Sequence, residues 1–75
     1  MVGLAQTKNN LIEGLRDFNI SFQITGPKQI EIWTDNNHLE ANIVGLGVLR
    51  IRELDRDLNP LSEYLISVDE FVIAI

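Results

Sequence analysis

The sequence predicts a mostly β domain: one N-terminal helix followed by antiparallel strands. Three observations carry this. Apolar residues recur at helical spacing near the start of the chain. From Ile20 onward the apolar period changes to two. Two turn signals then fall between strands whose apolar residues meet on one face on either side of each turn.

The helix is expected from Thr7 to about Asp17, where Leu11, Ile12, Leu15 and Phe18 form one apolar stripe at spacings of three and four. Thr7 or Asn9 is a fitting cap for its start. Gly14 inside it costs about 1 kcal/mol against alanine, so the helix needs packing to persist. Ile20, Phe22 and Ile24 then alternate with polar residues until Gly26-Pro27 breaks the run.

The next strand is Gln29 to Asp35, with Ile30 and Ile32 on one face and Glu31 and Trp33 on the other. Asn36-Asn37 is a two-residue hairpin signal, because asparagine tolerates positive φ. Folding there sets Ile30 opposite Ile43, Ile32 opposite Ala41 and Trp33 opposite Glu40. Gly45-Leu46-Gly47 is the second turn. It sets Ile43 against Leu49 and Ala41 against Ile51, and on the other face Glu40 against Arg52 and Asn42 against Arg50.

Glu53 to Pro60 reads as a charged loop, or a strand that runs out into one. A last apolar section from Tyr64 to Ile75 is broken near Asp69-Glu70. Its tail, Phe71 to Ile75, is apolar on both faces and is expected as a strand, either central in this chain's own core or paired with a neighbouring subunit.

Seventy-five residues make a single domain, 1–75. A chain this short buries only about 60% of its unfolded surface. It has no cysteine to staple it, yet 45% of its residues are hydrophobic. That combination predicts a homo-oligomer. The net charge of −5 argues against loose, charge-driven binding to nucleic acid. No apolar run is long enough to span a membrane and no signal peptide is evident at the start, so a cytoplasmic location is expected.

Chemistry-bearing clusters are few. The single histidine, His38, sits beside a predicted turn with no cysteine to pair with, and the serines have no nucleophile-elbow context. No enzyme activity, cofactor or metal is expected. Asp55-Arg56-Asp57-Leu58-Asn59 opens like a calcium loop, but Pro60 and Ile66 stand where that loop needs glycine and glutamate, so a solvated acidic loop is the better reading. Trp33, Arg50 and Arg52 are predicted on the outer sheet face and are the candidate RNA-binding residues, an aromatic platform with guanidinium groups nearby. The alternative is that Trp33 covers sheet surface while the arginines pair with Glu40, Glu31 or Glu53.

The order of parts resembles the Sm-like family, in which a short N-terminal helix precedes five strongly bent antiparallel strands. The stretch from Ile30 to Gly45 looks like that family's first motif, with Ala41 where glycine is usual, and Tyr64 to Val68 looks like its second, a short strand turning tightly into the last one. The resemblance implies a small, strongly bent sheet or barrel, assembly into a ring and possible RNA binding. Two departures stand against a uridine pocket. The turn Gly45-Leu46-Gly47-Val48 has no polar side chain, and Tyr64 to Ser67 lacks the family's basic or histidine residues. The segment Ile20–Thr25 is extra unless it is the first strand. The alternative function is a small protein–protein interaction module without nucleic-acid binding.

Overall fold

The computed structural model of the chain describes residues 3–35 and 37–74. It runs α1 (Leu4–Asp17), β1 (Ser21–Gly26), β2 (Gln29–Trp33), β3 (His38–Gly45), β4 (Val48–Leu54), β5 (Pro60–Ser67) and α2 (Val68–Ala74). The strands form one antiparallel sheet in sequence order, β1-β2-β3-β4-β5. The mostly β architecture behind an N-terminal helix is as expected. The sheet is open, however, with β1 and β5 as its edges, and it does not close into a barrel. Because Ser21–Gly26 is the first strand, the stretch read as an opening motif is β2–β3, the second and third strands.

Helix α1 begins at Leu4, earlier than its apolar stripe suggested, and neither Thr7 nor Asn9 caps it. Thr7 is instead fully buried inside the helix, one turn before Leu11, and its hydroxyl donates to the Gly3 carbonyl at 3.0 Å. The C-terminus closes as a Schellman motif. Asn19 takes a left-handed conformation at φ 55°, its N–H donates to the Arg16 carbonyl, and the Ile20 N–H donates to Leu15. Ending there leaves Phe18 56% exposed, so it leaves the buried stripe that Leu11 and Leu15 continue.

The core is a single cluster. Leu11 and Leu15 of α1, with Val68 and Phe71 of α2, pack on Ile30, Ile32, Leu39, Ala41, Ile43, Leu49 and Ile51 of the three central strands. The β3–β4 register is the expected one: Ile43 faces Leu49, Ala41 faces Ile51, Glu40 faces Arg52 and Asn42 faces Arg50.

The β2–β3 register differs from the expectation by two residues. Ile30 pairs with Ala41, Ile32 with Leu39 and Trp33 with His38. The hairpin closes on Thr34 and Asn37 rather than around Asn36-Asn37: the Thr34 N–H donates to the Asn37 carbonyl at 2.9 Å, and the Asn37 N–H donates to the Thr34 hydroxyl at 3.1 Å. Asn36 itself lies outside the described residues. A shift of two keeps every side chain on its face, so alternation alone does not discriminate between the registers. Burial does, because the observed one sets Leu39 against Ile32 where the expected one set it against Thr34.

Over residues 71–74 the tail is part of a helix, not a strand, and Ile75 lies outside the described residues. The Ser67 hydroxyl accepts the Glu70 N–H at 3.2 Å, and Asp69 and Glu70 occupy the first turn of α2, where the helix dipole favours carboxylates. Val68, Phe71 and Val72 then fall at helical spacing onto the core. The pair Asp69-Glu70 starts an element where the sequence reading took it to interrupt one. Accordingly, Tyr64–Ser67 leads into a helix rather than into a last strand.

Candidate functional site

Trp33, Arg50 and Arg52 do share the outer face of the sheet, but they do not converge. Trp33 ends β2, the arginines lie on β4, and β3 runs between them, two strand spacings or about 10 Å across the sheet, with Trp33 level with Leu54 and so further offset along the strand from both arginines. Trp33 is 37% exposed, and its ring stacks on the His38 imidazole with centroids 5.2 Å apart and planes 14° from parallel. His38 Nε2 in turn lies 3.5 Å from Glu31 Oε2.

Both arginines are engaged by one carboxylate. Arg50 Nε stands 3.4 Å from Glu63 Oε1 and Arg52 Nε 3.7 Å from Glu63 Oε2. The partners expected from Glu40, Glu31 or Glu53 are replaced by a residue of β5, the strand that alternation left undefined. Glu40 faces Arg52 across the β3–β4 ladder, yet its Oε1 accepts the Asn42 amide at 3.2 Å. An aromatic platform and two guanidiniums are thus present on one surface, with the charge of the guanidiniums offset and the ring already stacked on protein.

The calcium-like loop has its own occupant. Asp55 Oδ1 accepts the backbone N–H groups of Asp57 at 2.9 Å and Asn59 at 2.8 Å, so the carboxylate closes the turn itself. No metal-ligating cluster occurs among the described residues.

The site that sequence reasoning missed is the free edge of β5. This strand is exposed along most of its length, with Leu61 62% and Leu65 64% accessible. Its backbone phase follows from one bond: the Val68 N–H donates to the Gly47 carbonyl at 2.9 Å. Hydrogen-bonded pairs alternate along an antiparallel ladder. In the observed register Ile66 and Tyr64 therefore aim their backbone groups at β4, and Glu63 and Leu65 aim theirs outward. The edge carries one charge, Glu63, and that charge is drawn back over the sheet by Arg50 and Arg52. Natural edges are usually guarded by lysine, proline within the strand or a covering element. Here Pro60 stands only at the strand's first residue, and the register irregularity at Leu61 falls beside it at the same end of the strand. The signal available in the sequence was the run from Pro60 to Ser67 with a single charge in it.

No helix among the described residues is long and apolar enough to cross a membrane. Comparison with known protein families, characterised proteins and solved structures finds no match to this chain.

Proposed function

We propose that this chain is a small protein-interaction module that assembles with its own copies through the β5 edge. The observation that carries this reading is the eight-residue edge strand with outward backbone groups, exposed leucines and one neutralised charge. An antiparallel pairing centred on Glu63 sets Leu61 of each copy beside Leu65 of the other. It also surrounds the two Glu63 carboxylates with the Arg50 and Arg52 guanidiniums of both copies, so the only like-charge contact at the seam is compensated. The ten-stranded sheet that results uses backbone bonds for affinity and the leucines for register.

Light scattering at micromolar concentration tests it, with an oligomer expected. Leu65→Pro removes an outward N–H and takes none from the β4 ladder, so it should give a folded monomer. Leu65→Lys should do the same by placing charge on the seam. A wild-type monomer, or variants that assemble unchanged, overturns the reading.

A second reading adds RNA to such an assembly, as the Sm-like resemblance implies. The observation favouring it is the shared outer face of Trp33, Arg50 and Arg52. With −5 on every copy, affinity would rest on stacking and local guanidinium contacts rather than on long-range attraction. Titration with uridine-rich and adenine-rich RNA at physiological salt decides it. Trp33→Ala should weaken binding roughly five- to a hundred-fold if that ring is the platform.

A further inference from the structure

The other edge of the sheet, β1, is free as well and differs from β5 in its surroundings. Ser21–Gly26 holds no charged residue and no proline, and its register irregularity, between Ile24 and Gly26, lies at its far end. Its backbone phase follows from two bonds. The Ile43 N–H donates to the Lys28 carbonyl at 2.8 Å and the Thr34 N–H to the Asn37 carbonyl at 2.9 Å. In the β2–β3 register these make Ile30 and Ile32 the residues that bond to β3, so Glu31 and Trp33 aim their backbone groups at β1. Their partners Gln23 and Ser21 aim back, and the N–H and C=O groups of Phe22 and Ile24 aim outward. Of the same two side chains, Phe22 packs on the core and Ile24 is 49% exposed.

Helix α1 runs beside this edge. Lys8, Ile12 and Arg16 recur every fourth residue along one flank. Ile12 packs against the core and Lys8 Nζ donates to the Gly26 carbonyl at 3.5 Å, so this flank faces β1. The carboxylates of the helix, Glu13 and Asp17, lie on the other flank with Gly14, beside Asp69 and Val72 of α2. Lys28 stands in the turn between β1 and β2. Three of the chain's six lysines and arginines thus border one edge, and the ion pairs among the described residues use none of them. The one carboxylate of β2, Glu31, lies on the outer face against His38.

We propose that the β1 edge binds an extended acidic segment of a partner protein as a sixth strand. Lys8 and Arg16 stand about 12 Å apart along the helix axis, and four residues of a strand span about 13 Å. The segment that fits has two carboxylates four residues apart and an apolar residue midway. Each carboxylate meets one cation, and the apolar side chain meets Ile12 and Ile24. The net charge of −5 repels such a segment at a distance. Screening over about 8 Å at physiological salt leaves the local cations to decide. A nucleic acid has no amide groups to continue the ladder, so the outward backbone favours a peptide. The site lies at the opposite edge from β5 and is independent of the assembly proposed above.

The test is a titration of the isotopically labelled protein with an acetylated, amidated heptapeptide, followed by amide shifts and hydrogen exchange. The peptide carries glutamate at its second and sixth positions, valine at its fourth and threonine elsewhere. Saturable shifts along β1 at roughly millimolar concentration are expected, with new exchange protection at the Phe22 and Ile24 amides. The same peptide with lysine in place of glutamate should bind about ten-fold more weakly or not at all. Ile24→Pro removes an outward N–H and takes none from the β2 ladder, so it should abolish binding. Lys8→Gln and Arg16→Gln leave the strand intact and should each weaken binding about two- to five-fold. Absence of saturable shifts on β1, equal binding of the lysine peptide, or binding that none of the variants weakens overturns the proposal. Protection of the Phe22 and Ile24 amides in the protein alone would give the edge to a second copy, and uridine-rich RNA shifting Lys8 and Arg16 where the peptide does not would give it to nucleic acid. Either result also overturns it.

Discussion

The side-chain oxygen of Thr7 accepts the backbone N–H of Gly47 at 2.9 Å, joining helix α1 to the β3–β4 turn across 40 residues of chain. Gly47 sits at φ +73°, a conformation glycine adopts freely, and its carbonyl accepts the Val68 N–H that starts α2. One turn residue thus positions both helices over the sheet. Thr7→Val keeps the shape and removes the acceptor, leaving a part-buried N–H unpaired. It should lower unfolding free energy by about 1–3 kcal/mol. Thr7→Ser should retain most of it. Denaturant unfolding at one fixed protein concentration, with hydrogen exchange at the Gly47 amide, checks both.

Gly14 is where the two helices touch. A Cβ there would lie 2.6 Å from Val72 Cγ2 and 3.2 Å from Val72 Cβ, and a β-branched side chain has little freedom to withdraw. Gly14→Ala gains about 1 kcal/mol of helix propensity and meets an overpacking cost of about 1–3 kcal/mol. The net expectation is a loss of about 1 kcal/mol, read as a melting temperature lower by about 4–8 °C. The paired change Gly14→Ala with Val72→Ala should recover part of the loss.

Partial burial, and secondarily the Glu53 carboxylate, raise the Tyr64 hydroxyl above its ordinary value of 10.0. The folded state therefore holds this proton more tightly than the unfolded chain. The stability it contributes is fully present below about pH 10 and is lost as pH rises through the folded-state value. Tyr64→Phe should flatten the alkaline limb of the stability curve, with thermal melts from neutral to alkaline pH as the measurement.

Leu58 occupies the left-handed region at φ 64° in the loop after β4, with its side chain mostly in solvent. Its conformation is imposed by the bonds that Asp55 makes to the backbone of Asp57 and Asn59. Leu58→Asn tolerates the same backbone at lower steric cost and should stabilise the fold by about 0.5–1 kcal/mol. A higher urea midpoint at unchanged slope is the expected sign.

The sequence by itself determined the helix-then-strands order, the apolar face of each central strand and the β3–β4 register, because a period and a glycine turn are local properties. It also held, unread, the Ser67-to-Glu70 cap that makes the tail a helix. What tertiary structure decided is what local pattern leaves degenerate. Two β2–β3 registers place every residue on the same face, and only packing Leu39 against Ile32 separates them. Arg50 and Arg52 had several carboxylates within sequence reach, and strand order gave them to Glu63. Trp33 and Arg52 were expected in one row across β3, and the two-residue register shift sets Trp33 level with His38 and Leu54 instead. The open β5 edge has the same origin: whether a strand is central or outermost depends on which neighbours the folded chain supplies, and the free energy of that choice is spread over the whole core.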